Sequence, residues 1–287
     1  MTETARPGLA STILLVDDEG RVYLVKRHGR SGFMAGAHVF PGGRVDDADR
    51  AIAASLPASL RAAGQGLVER GAANIDDALA LLVAGVRETV EECAVFLATP
   101  AGTPRGALVD GTVAAEAHRL LEVEKRPFAE VLGALGVVPA IDRLAPFAWW
   151  ITPEAEPRRY DTRFFVAPAP RDQRATVDAR EVTEGDWMTP DDAIARYRRR
   201  EIALAPPTLV TLEDLQGART VDDMIARGAQ TAGRPICPKL IAGDQGLVLA
   251  LPGDALHDEN DPIFPGVRTR VVMDDDQRFV SAMGPTP

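Results

Sequence analysis

Three carboxylates spaced to meet on one helix face are the clearest chemical signal in the chain. They lie in AGVRETVEECAVFLA, residues 84–98. At about 100° per residue, Val90, Cys93 and Leu97 fall within roughly 40° of Val86, a narrow apolar stripe. On the same wheel Glu88, Glu91 and Glu92 fall at about 200°, 140° and 240°. The spacing predicts a helix that buries its stripe and gathers three anions on the opposite face. Like charges at i, i+3 and i+4 destabilise a helix by roughly 0.2–0.5 kcal/mol per pair. No lysine lies on that face to relieve them. An external cation would, and Mg²⁺ or Mn²⁺ suits carboxylate and water oxygens. Taken alone, the run also reads as a solvated acidic face.

Other side chains suit phosphate chemistry. Upstream, in VFPGGRVDDAD, Gly42 and Gly43 are glycines of the kind that take positive φ and let backbone amides approach a phosphate. RRYDTRFFVA alternates, so a strand there puts Arg163 and Phe165 on one side and Thr162, Phe164 and Val166 on the other. Arg163 turned toward a cleft would suit a diphosphate; an ion pair with a neighbouring acid is the other reading. Arg196, Arg198, Arg199 and Arg200 close a helix, where cations complement the dipole. The sharper reading makes them a phosphate anchor. Trp149 and Trp150 read as core and strand-edge aromatics. The four histidines show no metal-ligand spacing, and no Walker loop or Ser/His/Asp order is present.

The elements that must position these groups come from an ordinary globular chain. It has 287 residues, 46% hydrophobic and 26% charged. At about 150 residues per domain this makes roughly two domains, or one domain with insertions. Lys+Arg 32 against Asp+Glu 42 leaves a net charge of −10, which argues against coating a nucleic acid. Two cysteines are too few for a disulfide framework. The opening residues do not read as a secretory signal, and no apolar run approaches the roughly 20 residues of a membrane span. The expectation is a cytoplasmic protein that meets neither membrane nor nucleic acid. A homodimer is compatible with the composition, which does not decide it.

Along the chain, STILLVDD and RVYLVKR read as a β-hairpin turning at Glu19-Gly20. From Arg50 to about Val83 the text is rich in alanine and leucine, hence helical, and the helical pattern firms over Asp77–Leu97. Val113–Leu135 is helical with a break at Pro127. APFAWWIT, DTRFFVAP and EVTEGDWM read as strands. TPDDAIARYRRR has Thr189 as N-cap and Pro190 in the first turn. Two more helices follow, bracketed by Pro206 and Gly217 and by Thr220 and Gly233, before strand-like text resumes from Pro238. The class is α/β, a mixed sheet covered by helices with a β-rich C-terminal extension.

Gly43, Asp49 and, after a spacer, RETVEECAV together resemble the Nudix box. GFMAGAHVFPGG, RRYDTRFFVAPAP and EVTEGDWMTPDDAI are similar to the Nudix subgroup that includes peroxisomal coenzyme A diphosphatases. The resemblance implies a Nudix α/β/α sandwich over residues 9–215, a helical insertion inside the box at about 50–83, and an extension over 216–287. It implies metal-dependent hydrolysis of a diphosphate bond in a nucleoside-diphosphate-linked small molecule. Coenzyme A or an acyl-CoA is the first choice. ADP-ribose or a dinucleotide is the alternative, and a non-catalytic ligand-binding module the rival class.

By the same resemblance, Glu88 and Glu92 are principal Mg²⁺ or Mn²⁺ ligands, with Glu91 sharing the charge. Arg87 supports them through an ion pair with Asp49, and Glu181 or Glu184 supplies a further carboxylate. Gly42, Gly43, Arg27 and Arg163 are the substrate-binding candidates. The chain departs from the box in having Asp49 for glutamate, Ala94 for a late glycine, and residues 50–86 in place of a short spacer. The arginine of the coenzyme A motif upstream falls on Gly32. Because Asp49 and Arg87 must meet, the insertion is expected to be a peripheral excursion that a short turn could replace.

Overall fold

A computed structural model describes residues 6–28, 36–177, 182–243 and 246–284. Strands β1 (Gly8–Val16) and β2 (Val22–Arg27) are joined at a turn where Gly20 takes φ +71°. The expected hairpin forms only beside its turn, where Val16 faces Val22. The rest of β1 pairs with other strands. β3 (His38–Val39) runs beside β2, and β4 (Gly42–Arg44) pairs antiparallel with β1, setting Ser11 opposite Gly43 and Thr12 opposite Gly42. α1 (Asp47–Ser55) follows at once, started by a capping box in which Asp46 and Asp49 each bind the other's backbone N–H.

α2 (Arg61–Val68) turns the chain back, and α3 (Ile75–Cys93), capped by Asn74, is the acidic helix. It ends earlier than the periodicity indicates. Ala94 is left-handed at φ +56°, so Leu97 lies beyond the helix. A left-handed residue at this point ends helices generally and is usually glycine. β5 (Ala98–Pro100) leads to α4 (Gly111–Glu122) and α5 (Phe128–Leu135), and β6 (Val137–Pro139) returns to pair with β5.

β7 (Ala145–Ile151), β8 (Tyr160–Pro168) and β9 (Val182–Met188) complete the expected strands. α6 (Pro190–Arg198) takes the anticipated Thr189 cap and is followed by α7 (Pro206–Leu215) and α8 (Val221–Thr231). β10 (Pro235–Ile236) then rejoins the main sheet beside β7. The last four strands, β11 (Lys239–Gly243), β12 (Gly246–Ala250), β13 (Arg270–Met273) and β14 (Phe279–Ala282), make a separate antiparallel sheet in sequence order.

The main sheet runs β10-β7-β8-β1-β2-β3, with β4 also on β1 and β9 also on β2. β1 and β8 are parallel and in register from Gly8–Tyr160 to Val16–Pro168. Alternation along the strands builds a core on each face. Ile13, Leu15, Tyr23, Val25 and Phe165 pack with α3 and the helices before and after it. Leu14, Val16, Leu24, Phe164 and Met188 pack with α6, α7 and the C-terminal sheet. The extension therefore shares the second core, and Arg268 ties it to Asp214 of α7 at 2.5 Å.

The insertion is no peripheral excursion. Leu60 and Leu67 are at most 1% exposed and belong to the first core with Leu79 and Leu81 of α3. A Cβ on Gly64 would collide with Leu79, so α2 lies directly on α3. Replacing the segment with a short turn would strip the N-terminal half of the acidic helix of its cover. Leu67→Ala is expected to destabilise the protein by about 2–5 kcal/mol in denaturant unfolding. A loss below about 0.5 kcal/mol would return the segment to the periphery.

Candidate active site

The site is organised by one guanidinium. Arg87 lies on α3, and its Nε and Nη2 donate to the two carboxylate oxygens of Asp49 at 2.9 and 3.0 Å. Nη2 also donates to the Arg44 carbonyl at 2.9 Å, which fastens the end of β4. Nη1 reaches Glu91 Oε2 at 2.7 Å and Glu88 Oε1 at 2.8 Å. Three nitrogens thus meet five oxygens drawn from β4, α1 and α3. Asp49 is fully buried, and its Oδ2 also accepts the Asp46 N–H at 3.0 Å. Burial pushes the Asp49 carboxyl above its ordinary range, against the pull of Arg87. The same carboxylates hold the Arg87 guanidinium firmly protonated despite its burial.

Glu88 and Glu92 turn toward the two glycines. Glu92 Oε2 accepts the Gly42 N–H at 3.0 Å. The Glu88 carboxylate lies so close to Gly43 that a Cβ there would collide with it. The glycines therefore make room for glutamates and anchor one of them. The Gly42 amide expected to face a phosphate is occupied by Glu92. Glu88 is only 8% exposed, and desolvation pushes its carboxyl up to about 7 although Arg87 pulls it down. Burial also raises Glu91.

Among the described residues no three His, Cys, Asp or Glu side chains are already grouped as a ready metal site. Arg87 holds Glu88 and Glu91 to itself, so one cation partly relieves the repulsion that the helix wheel left unanswered. The donor set nevertheless fits a hard divalent ion. It offers anionic oxygens on one helix face, one of them buried at a glycine cradle that any side chain would fill.

The remaining candidates divide. Glu181 lies outside the described residues. Glu184 is exposed and pairs with Lys26 at 3.1 Å. Asp186, two residues on, pairs with Arg196 of α6 at 3.0 Å, and Met188 joins the second core. Glu184 thus stands on the sheet face away from α3, which corrects its expected place beside the acidic cluster. Arg196, Arg199 and Arg200 each pair with a carboxylate, and Arg198 closes α6 beside them. Arg27, on the strand that carries Tyr23 and Val25 toward α3, forms no ion pair with a described residue.

Arg163 does not face the cleft. It is 3% exposed, with its guanidinium 3.4 Å above the Trp149 ring and Nη1 donating to the Arg70 carbonyl at 2.9 Å. Burial lowers its pKa to about 10, so it stays charged at neutral pH. It braces the α2–α3 turn against the sheet. The alternating pattern indicates its face correctly, but not that the insertion covers that face. Asp46 and the Arg44 carbonyl were missed as parts of the site, although the capping-box spacing Asp46-x-x-Asp49 is legible in the sequence.

The chain resembles known proteins over most of its length. Residues 9–215 match the family described as the NUDT19 Nudix domain. The chain is 29% identical to the acyl-coenzyme A diphosphatase NUDT19 of Gallus gallus, over 96% of this chain and 82% of that protein. It is 26% identical to the human protein of the same name, over 90% of this chain and 79% of that one. A crystal structure of a NUDIX hydrolase from Alicyclobacillus acidocaldarius shares the fold, with TM-score 0.63 and 22% identity over 78% of this chain and 97% of that one.

The raised Glu88 carboxyl has a measurable consequence. The folded state holds this proton more tightly than the unfolded chain, whose value is 4.5. Its contribution to stability is thus present at low pH and is lost as pH rises from 4.5 toward about 7. Without divalent ions, the melting temperature of the wild type is expected to fall relative to Glu88→Gln between about pH 5 and about pH 7.5. A difference that stays flat across that range would contradict the assignment.

Proposed function

The chain belongs to the Nudix hydrolase family, and from that premise we propose that it hydrolyses the diphosphate bond of coenzyme A or an acyl-CoA. Water adds across that bond, releasing 4′-phosphopantetheine or its acyl form and adenosine 3′,5′-bisphosphate. The observation that carries catalysis is the acidic helix itself, with Glu88 and Glu91 held by Arg87 and Glu92 held by the Gly42 amide. A module that only bound ligand would have little physical reason to keep three mutually repelling carboxylates. The substrate class is supported by the names of the relatives.

In this reading Mg²⁺ or Mn²⁺ is held by Glu88 and Glu92, with Glu91 sharing the charge. When bound, such an ion polarises phosphoryl oxygens and lowers the pKa of an attacking water. Arg87 keeps Glu88 and Glu91 in fixed rotamers, so little reorganisation is needed when substrate arrives. Gly42 holds Glu92 in the same way through its amide. Glu181 is the carboxylate assigned to orient or deprotonate the water, because Glu184 is committed to Lys26 on the other face. Two free cysteines, one buried, suit a reducing compartment, and no helix among the described residues is long and apolar enough to cross a membrane.

Two measurements test the reading. Glu92→Gln should leave the protein folded and lower Mg²⁺-dependent turnover by on the order of a thousandfold, as the loss of several kcal/mol of charge stabilisation implies. Unchanged turnover at limiting Mg²⁺ removes Glu92 from the ligand set. Liquid chromatography of products should give the highest kcat/KM for coenzyme A or an acyl-CoA. A higher value for ADP-ribose or a dinucleotide would replace the substrate while leaving the reaction class intact.

A further inference from the structure

A cleft of about 460 Å³ lies between the β2–β9 pair and residues 171–175. Its floor is Tyr23, Gly185 and Trp187, with the Tyr23 and Trp187 ring centroids 5.0 Å apart. Gly185 lets the Tyr23 ring and Val177 lie against β9, since a Cβ there would strike both. We infer that this cleft holds the nucleoside 3′-phosphate half of the substrate, with Arg174 pairing the phosphate. The inference rests on the coenzyme A reading above and adds to it the place where the nucleotide end is told apart.

Position is the first argument. Tyr23 packs in the same core as α3, so the cleft opens on the acidic face of the sheet. Its wall begins where the acidic helix stops. Thr176 N–H donates to the Cys93 carbonyl at 2.9 Å, and the Gln173 side chain receives the Phe96 N–H at 2.7 Å and donates to the Phe96 carbonyl at 3.1 Å. A third bond, Gln173 Nε2 to the Val109 carbonyl at 2.8 Å, fixes the wall further. Along β1, Thr12 faces the Gly42 that holds Glu92, and Val16 faces the residue before Tyr23. Four residues of strand span about 13 Å. A nucleotide whose diphosphate sits at the glutamates can cover that distance.

Charge is the second argument. Arg171 is already paired with Asp18 at 2.7 Å, and Asp186 with Arg196 at 3.0 Å. Arg174 and Asp172 are exposed and form no ion pair with a described residue. Among the described residues the cleft thus offers one uncommitted cation, one uncommitted carboxylate and a half-buried indole. An acyl chain would ask for apolar walls, and a bare phosphate would be repelled by Asp172. A nucleoside 3′-phosphate matches all three, with a phosphate for Arg174, amine or hydroxyl donors for Asp172 and a ring for Trp187.

Calorimetry on the full chain separates this inference from the substrate reading. Wild type should bind adenosine 3′,5′-bisphosphate about tenfold more tightly than AMP, as one charge-assisted phosphate contact implies. Arg174→Gln should bring that ratio near one, and Arg174→Lys should restore part of it. The wild-type KM preference for coenzyme A over dephospho-coenzyme A should collapse in parallel. No bisphosphate preference in the wild type, or a preference that survives Arg174→Gln, overturns the inference. If coenzyme A is not hydrolysed while the bisphosphate preference depends on Arg174, the substrate reading falls and the cleft assignment stands.

Discussion

Arg87 is a largely desolvated cation whose charge is met by carboxylates from two helices, α1 and α3, far apart in sequence. Asp49 opens the first of them and Arg87 lies late in the second, yet they meet through two hydrogen bonds of 2.9 and 3.0 Å. A desolvated charge of this kind is tolerable only when every donor finds an oxygen. Arg87 satisfies that condition with Asp49, Glu88, Glu91 and the Arg44 carbonyl. The rest of the site follows from it. The start of α1, the end of β4 and the rotamers of two glutamates are set by a single side chain.

The same constraint explains how so long an insertion is accommodated. Loop-closure entropy grows slowly with length, so residues between Asp49 and Arg87 add little to the cost of bringing the two together. What they require is burial of their own apolar surface. Leu60 and Leu67 supply it against α3, while Arg163 stacks on Trp149 and holds the Arg70 carbonyl. The insertion lengthens the acidic helix at its N-terminal end and leaves the glutamate end untouched. That end is steadied by His118, whose Nδ1 lies 2.7 Å from the Val90 carbonyl, and by the Gln173 bonds to Phe96.

Local pattern made much of this legible. The helical spacing of Glu88, Glu91 and Glu92, the Thr189 cap and the two-residue alternation of β8 all read directly from residue types. The failures are non-local. Alternation in EVTEGDWM groups Glu184 with Asp186 and Met188, but nothing local says that α6 rather than α3 covers that face. Arg163 was placed on the correct side of its strand, and only the path of the insertion shows what lies above it. Ala94 ended its helix in a left-handed conformation that an alanine-rich text does not announce. On the helix wheel the repulsion among the glutamates calls for an external ion or solvent, and only the resemblance brings Arg87 to them. Rotamers of Arg87, invisible on a helix wheel, supply part of the answer.

Asp49 and Arg87 act as one unit across the insertion. A double-mutant cycle with Asp49→Asn and Arg87→Met, read by denaturant unfolding, tests this most directly. Arg87→Met leaves the buried Asp49 carboxylate unpaired and should cost about 3–5 kcal/mol, while Asp49→Asn, which leaves Arg87 with Glu88 and Glu91, should cost about 1–3 kcal/mol. The double variant should cost far less than their sum, a coupling of about 2–3 kcal/mol. Additive losses, within about 0.5 kcal/mol, would mean that the two residues stabilise the protein independently and that the site has some other keystone.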